Sequence, residues 1–565
     1  MIRRWLYPAE TDERQTAELS TSIRVSPALA AILIRRGICT YDQAHRFFVP
    51  ELVGLHDPFL MKDMEAAVER IRKAVVSGER ILVYGDYDVD GTTSVALVYR
   101  YLSSIHPDVL YYIPDRNKEG YGVSEAGITH AIEQGVKLIV ALDLGIKATA
   151  RVDRAAEAGI DFIICDHHLP DAEIPRAVAV LDPKRPDCPY PYKELSGCGI
   201  GFKLVQAYAR RYGQETAAYD YLDLVAVSIA SDIVPVTGEN RILAHFGLKR
   251  LIAEPCPGLR ALMKISALQK EPDVNTLVFT IGPRINAAGR VAHASAAVEL
   301  LIAADEAAAD ELAGRLDLKN NERRVYDLSI TEEALSMIDA DEQERNARTT
   351  VLFKETWHKG VVGIVASRVQ DKYYRPTVIL TLSNGKITGS ARSVHGFNLY
   401  EAVSECSDLL EQFGGHHHAA GLTLLPENFP AFRKRFEEVV SAAITEDMLQ
   451  PVLTIDAEVT LDQLTPKFHE VLRRMAPYGP GNANPILVAQ PVRPRYAQLL
   501  KERHVKFQAV QEGSDAKFHC ICFDRPDLME LVADGRPVRL AFHLEENVYN
   551  GVTSLQLRIK DIQPA

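Results

Sequence analysis

The chain has 565 residues, 47% of them apolar and 25% charged, with eight cysteines and a formal net charge of −12. That balance fits a soluble globular protein of three or four domains. The cysteines include no C-x-x-C pair, which argues against a zinc ribbon or a disulfide scaffold, and the acidity argues against a protein that coats a polyphosphate through non-specific contacts. In chain order, residues 1–70 hold short apolar-periodic segments, such as Ala28 to Ile34 and Ala66 to Ile71, and read as an N-terminal helical brace for the first domain. From Arg80 to about Pro183 strands alternate with helices, near 81–85, 109–113, 137–142, 161–165 and 177–181. Such a βαβ series predicts a doubly wound parallel sheet. A helical portion carrying Asp232 completes this domain, 71–295.

Residues 296–348, rich in Ala, Glu, Leu and Arg at helical spacing, read as a connecting helical segment exposed on one side. A second α/β domain spans 349–445. From 452 to 565 short strands follow one another, with a Pro/Gly-rich joint at Ala476-Pro-Tyr-Gly-Pro-Gly481, and predict a small β-barrel. Cys520 and Cys522 alternate within one of these strands and are expected to pack in its core. The start, Met1-Ile-Arg-Arg-Trp, lacks a signal-peptide apolar region and no run approaches a membrane span, so a reduced cytoplasm and no membrane are expected.

The chemistry is concentrated at strand ends. Arg80-Ile-Leu-Val-Tyr-Gly reads as a buried strand breaking into Asp86-Tyr-Asp88-Val-Asp90-Gly91; Lys137 to Leu142 ends on Asp143, and Asp161 to Cys165 on Asp166-His167-His168. In open α/β sheets ligands bind outside the carboxyl ends of the strands, so three strands aim acids and imidazoles at one crevice. Such donors suit Mn²⁺ or Mg²⁺ rather than a thiolate zinc site. An Asp after a strand is often only a helix cap, and a lone histidine is more often packed than ligating. An EF-hand is disfavoured because Leu97 stands at the twelfth position, where such a loop carries Glu. Three acidic strand ends in one series outweigh the plainer readings. With two cations in one site a carboxylate must bridge them. Asp143, alone at the end of a central strand, is the expected bridge, Asp86, Asp88 and Asp90 divide between the ions, and His167 and Asp232 complete the second. Asp166 is expected to orient an imidazole, as carboxylates behind metal ligands do.

These residues, in this order, resemble the DHH phosphoesterase superfamily, and within it the RecJ family of single-strand-specific 5′ exonucleases. Further stretches carry the likeness: Ile113-Pro-Asp-Arg116 to Gly120-Tyr121-Gly122, Ser228 to Pro235, Gly282-Pro-Arg284-Ile-Asn286 to Arg290, Trp357 to Arg368, Gly389-Ser390-Ala-Arg392-Ser393 and Phe413-Gly414-Gly415-His416 to Gly421. The likeness runs from about residue 50 to the C-terminus. It implies a DHH catalytic domain, a DHH-associated domain and an oligonucleotide-binding (OB-like) barrel. It implies that His168 holds the scissile phosphate beside the catalytic Asp143 and Asp166, and that Arg116, Arg284 and Asn286 contact the strand backbone. Ser390 and Arg392, two apart and on one side of a strand, suit a terminal phosphate, and Gly415 and His416 belong to a phosphate loop; three consecutive histidines can also be a metal tract. Two departures stand out. Tyr84 occupies the place of a metal-binding histidine in other branches, which fits the exonuclease branch, and Leu144 follows Asp143 where a small or polar residue belongs.

The expected function is therefore a two-metal exonuclease that degrades single-stranded DNA from its 5′ end to mononucleotides in repair and recombination. The expected protein is a monomer, with a single-strand-binding protein and a RecQ-type helicase as candidate partners. A small-substrate phosphoesterase for nanoRNA or cyclic dinucleotides needs no strand-holding barrel. A non-catalytic replication scaffold would have lost acids that this chain keeps.

Overall fold

The computed structural model describes residues 3–116, 118–213, 215–268 and 270–565; Met1, Ile2, Asn117, Gln214 and Gln269 lie outside the described residues. Contacts divide the chain into two compact units, one of residues 36–321 and 473–484, the other of 1–35, 322–472 and 485–565.

The first unit is built on five parallel strands, β1 (Ile81–Gly85), β2 (Val109–Tyr112), β3 (Leu138–Leu142), β4 (Asp161–Cys165) and β5 (Ala179–Leu181), in the order β2-β1-β3-β4-β5. Strands covered on both faces must be apolar at every position rather than alternately. One face, with Ile81, Val83, Val140 and Ile163, joins the main helical core; the other, with Leu82, Tyr84, Ile139 and Phe162, faces a smaller cluster. The chain leaves β1 for β2 on one side and reaches β3 on the other. The switch point therefore opens a crevice beyond the carboxyl ends of β1 and β3. Helices α1 (Val89–Ile105), α2 (Gly197–Arg211), α3 (Leu222–Ser231) and α4 (Gly282–Val291) surround it.

In the second unit, β6 (Thr350–Phe353), β7 (Thr377–Ser383), β8 (Lys386–Arg392), β9 (Gln412–His416) and β10 (Ala419–Leu424) form a mixed sheet in the order β9-β10-β8-β7-β6. Then β11 (Leu487–Leu500), β12 (His504–Val510), β13 (Lys517–Cys522), β14 (Val538–Tyr549) and β15 (Val552–Pro564) pair β11-β12-β13-β15-β14, and β14 returns to β11, closing a five-stranded barrel. Closure removes the free edges. Alternation fills the inside with Val505, Phe507, Ala509, Cys520 and Cys522.

Two features differ from the sequence reading. Residues 1–70 do not act as one brace: residues 1–35 belong with the barrel unit, 36–70 with the parallel sheet. Arg4–Leu6 adds as a parallel strand to Val452–Thr454, and the Trp5 indole, buried beside Leu453, donates to Asp561 Oδ2 at 2.9 Å. The connecting segment is dominated by one 35-residue helix, Glu306–Ala340, and the unit boundary falls inside it. Ala309, Ala313 and Leu316 join the first core and Ile330, Ala334 and Ile338 the second, while Leu318, Val325 and Leu328 face solvent. The helix thus contributes packing to each unit and is more than a linker.

Candidate metal centre and anion pocket

After β1 the chain turns through Asp86-Tyr87-Asp88 into α1. Gly91 makes that turn possible, since a Cβ there would stand 2.4 Å from the Asp86 carbonyl oxygen. Asp88 caps α1, accepting from Gly91 N–H at 3.0 Å. The plain helix-cap reading and the ligand reading thus hold for the same residue. Asp143 leaves β3 in left-handed backbone, φ 61°, which Asp tolerates better than most residues. Gly197 yields the space, because a Cβ there would lie 2.7 Å from Asp143 Cβ. β4 delivers Asp166, His167 and His168, and Asp232 is the C-cap of α3.

These groups converge. His167 Nε2 lies 3.2 Å from Asp143 Oδ1, 3.6 Å from Asp232 Oδ2 and 3.8 Å from Asp90 Oδ2. One ligand atom from each of Asp86, Asp88 and Asp143 falls within 4.8 Å of the others, and the same holds for Asp90, His167 and Asp232. Asp86 Oδ1, Asp143 Oδ1 and both ring nitrogens of His167 are buried with no hydrogen-bond partner. Buried polar atoms left unpaired are costly, and oxygen and imidazole donors aimed together fit divalent cations. Burial, and then the neighbouring carboxylates, push Asp86 and Asp143 well above the usual carboxylate range and Asp232 up to about 9. Burial holds His167 below the usual imidazole value, hence neutral and able to ligate. Positive charge is what this cluster lacks.

Asp90 and Asp166 are differently occupied. Asp90 accepts from Gly197 N–H at 2.7 Å, Cys198 N–H at 2.8 Å and the Ser228 hydroxyl at 2.7 Å, tying α1 to the start of α2. Asp166 accepts from Ile146 N–H at 2.9 Å, His167 N–H at 2.8 Å and His168 Nδ1 at 2.7 Å. Burial alone would raise the Asp166 carboxyl, but the His168 contact and these donors hold it low.

Of the expected strand contacts in this unit, Arg116 stacks over the Tyr87 ring at 5.0 Å, and its charge favours the ionised form of Asp86. Asn286 lies on α4, which packs on the Asp86–Asp88 turn: a Cβ at Gly289 would stand 2.9 Å from Tyr87 O. Arg284 is largely engaged, by Asp317 at 2.9 Å and Thr280 O at 2.8 Å. Leu144 does not reach the pocket wall; it is buried in the opposite face of the sheet with Ala141 and Ile146. Tyr84 points the same way, and its hydroxyl accepts from Ser124 N–H at 3.0 Å.

In the second unit Ser390 and Arg392 lie together on β8. Arg392 Nη1 donates to Ser390 Oγ at 2.6 Å and Nε to Ser367 Oγ at 3.1 Å. Among the described residues no carboxylate pairs with this part-buried guanidinium. Gly363, in the first turn of the helix Val362–Tyr373, leaves room: a Cβ there would stand 3.0 Å from Arg392 Nη2. Ala419 pairs with Arg392 on one side and with His416 on the other, which brings the His416 row across the sheet. The Gly414-Gly415-His416 segment is the edge strand β9 rather than a free loop. Gly415, at φ 149°, admits the β10 backbone, since a Cβ would fall 2.3 Å from Ala419 O.

The sequence reading missed Tyr121, whose hydroxyl lies 3.2 Å from His168 Nε2, and the supports Ser228, Ser367, Gly197 and Gly363. Glycines on both sides of Tyr121 were the available signal.

Family models match residues 80–229 (DHH family, N-terminal domain), 346–442 (DHHA1 domain) and 455–561 (RecJ OB domain). The single-stranded-DNA-specific exonuclease RecJ of Bacillus subtilis (strain 168) is 37% identical over 97% of this chain and 70% of its own length. That of Dickeya dadantii (strain 3937) is 35% identical over 98% of each. The crystal structure of RecJ from Thermus thermophilus in complex with Mn²⁺ superposes with a TM-score of 0.85 at 29% identity, covering all of this chain and 80% of that one; the Mg²⁺ complex of the same protein gives 0.79 at 28%, covering all of this chain and 78% of that one. Likeness at this level, sustained from one end of the sequence to the other, makes the chain a member of the RecJ family.

Proposed function

We propose that this chain is a metal-dependent exonuclease that hydrolyses single-stranded DNA from its 5′ end to 5′-mononucleotides. The observation that carries the reading is the set of buried ligand atoms that make no hydrogen bond, Asp86 Oδ1, Asp143 Oδ1 and His167 Nδ1 and Nε2, gathered at the switch point. Asp86, Asp88, Asp143, His167 and Asp232 would hold two divalent cations, Mn²⁺ or Mg²⁺. Such ions polarise a phosphodiester and make a bound water nucleophilic near neutral pH. Asp143 faces His167 and the Asp86–Asp88 turn, so it is the carboxylate suited to bridging. Asp90 faces His167 and Asp232 and would join them at the second ion, while its three hydrogen bonds hold α2 in place. Asp166 holds the Nδ1 side of His168, and Nε2, now beside the Tyr121 hydroxyl, is the edge that would meet a phosphate oxygen.

Polarity rests on the Arg392 pocket. A guanidinium whose partners are all neutral hydroxyls and carbonyls suits a terminal 5′ phosphate. The barrel favours a polymeric strand over cyclic dinucleotides or nanoRNA. A single-strand-binding protein and a RecQ-type helicase are the partners that would present such a strand, and repair and recombination the setting. Among the described residues no single helix is long and apolar enough to cross a membrane. The test is digestion of 5′- and 3′-labelled single strands, duplexes and cyclic dinucleotides with Mn²⁺ or Mg²⁺. Release of the 5′ label as mononucleotide from single strands is expected; first release from the 3′ end, or preference for the cyclic dinucleotide, would overturn the reading.

A further inference from the structure

The first unit carries a second cleft, of about 380 Å³, lined by none of the metal-centre residues. The helix Gly238–Ala253 forms one wall, presenting His245, Leu248, Lys249 and Ile252 at helical spacing. Phe48, Val274 and the stretch from Arg473 to Tyr478 add to the lining. That stretch is held from behind. Arg241, buried on the same helix, donates to Met475 O at 2.8 Å, and Asn482 Nδ2 donates to Met475 O at 2.9 Å and to Pro477 O at 2.8 Å. The cleft is therefore built from fixed backbone, as small-molecule sites usually are.

Its charge is one-sided. Lys249, Arg473 and Arg474 line it together with a single acid, Asp273. The Asp273 carboxylate is engaged in its own turn, where Oδ1 accepts from the Thr276 N–H and the Thr276 hydroxyl, each at 2.7 Å. Among the described residues neither Lys249 nor Arg474 forms an ion pair. Each lies over an aromatic ring instead, Lys249 over Phe246 at 5.3 Å and Arg474 over Phe48 at 5.5 Å. His245 adds no charge: burial, and then Lys249 and Arg241, push it down to about 4.

We propose that this cleft binds a nucleoside 5′-monophosphate, the base against Phe48, Leu248 and Ile252 and the phosphate on Lys249 and Arg474. Apolar walls beneath two unpaired cations ask for a flat organic body that carries an anion, and the volume suits a bounded small molecule. Phosphate alone would leave the apolar walls uncovered, and a nucleoside alone would leave the cations unmatched. The choice of nucleotide rests on the exonuclease reading, since that reaction releases such a molecule at every step.

Calorimetric titration of the full chain with deoxyadenosine 5′-monophosphate, with Mn²⁺ and then with chelator, tests the site without turnover. Chelation removes the cations that would hold a phosphate in the crevice, so one equivalent should remain bound. Lys249→Ala with Arg474→Ala should weaken that equivalent roughly 10-fold or more, the loss expected for a charge-assisted contact. Both side chains are exposed, so Tm should be unchanged. Ile252→Glu should also weaken binding, whereas Arg392→Ala should leave it intact. Deoxyadenosine and inorganic phosphate should each bind more weakly than the nucleotide. No bound equivalent in chelator, or one that Arg392→Ala removes and the double variant keeps, would overturn the site. A short peptide of Glu and Phe that binds the cleft where the nucleotide does not would overturn it too, and reassign the cleft to a protein. A chain that binds the nucleotide as expected but cleaves no strand would count against the exonuclease reading alone.

Discussion

The parallel-sheet crevice and the Arg392 pocket solve opposite charge problems. In the crevice Asp86, Asp88, Asp143 and Asp232 crowd together, and burial with mutual repulsion pushes their carboxyls upward. In the pocket a part-buried guanidinium meets only neutral partners, and burial pulls it downward. One region gathers buried negative charge and the other a buried positive charge, which is why the proposed function assigns cations to the first and a phosphate to the second. The net charge of −12 mixes the two and conceals both. Local complementarity, rather than the sum of charges, reconciles an acidic chain with a polyanionic substrate.

The strongest way to break the comparison is to remove the shared acid. Asp143→Ala should lower cleavage by several orders of magnitude while the fold persists, because the residue faces both halves of the cluster. Near-normal turnover in a folded, metal-bound variant would sink the two-metal assignment.

The next effect is on stability. In the cation-free fold burial, and then the neighbouring carboxylates, push the Asp232 carboxyl up to about 9 from an ordinary 3.8. The folded state thus keeps a proton that the unfolded chain loses above pH 4. Cation-free stability is full below about pH 4, is lost as pH rises toward 9, and levels off beyond. Asp86 and Asp143 shift in the same direction and add to the slope. Bound Mn²⁺ requires deprotonated ligands, so its stabilising effect should grow over the same window. Melting curves at pH 5, 7 and 9 with chelator or with Mn²⁺ read both trends; a chelated protein whose Tm climbs with pH would contradict the first.

The two regions were unequally legible in the sequence. Parallel strands buried on both faces leave continuous apolar runs, so β1, β3 and β4 and the acids ending them stand out. The hydrogen bonds of Asp90 were hidden because its partners, Gly197, Cys198 and Ser228, lie more than a hundred residues away and carry no pattern. Leu144, just after the left-handed Asp143, packs in the opposite face of the sheet, which the sequence pattern does not reveal. The pairing of Arg4–Leu6 with Val452–Thr454 spans three residues, too few for any periodicity. The Gly414–His416 segment looked like a loop because glycines suppress strand signals, yet the β10 backbone needs a glycine at 415.

The anion pocket yields a smaller effect than the crevice. Arg392→Ala should reduce the preference for 5′-phosphorylated over 5′-hydroxyl ends by roughly 10- to 150-fold, the worth of a charge-assisted contact of about 1.5–3 kcal/mol. Rates on 5′-hydroxyl strands should change less. A variant that retains the whole preference would move end recognition elsewhere, with Arg116 the next candidate.

The smallest expected effect separates a built pocket from diffuse charge. Arg493, Arg495, Lys506 and Lys517 are exposed on the outer face of β11–β13, while Val505, Phe507 and Ala509 between them fill the barrel. Removing residues from 452 onward is a poor probe, since it also strips Trp5 of Leu453 and Asp561. Surface substitutions leave that packing alone. Lys506→Ala with Arg495→Ala should weaken binding of long single strands only a few-fold, and should lower the slope of log K against log salt by about 0.7 for each phosphate no longer neutralised. Hydrolysis of dinucleotides, too short to use an extended surface, should stay constant. The contrast with Arg392→Ala is in kind: the barrel variant alters salt dependence without touching end preference, and the pocket variant does the reverse. If the barrel substitutions leave the salt slope intact, this face of the barrel carries no strand and the basic row is ordinary solvated surface.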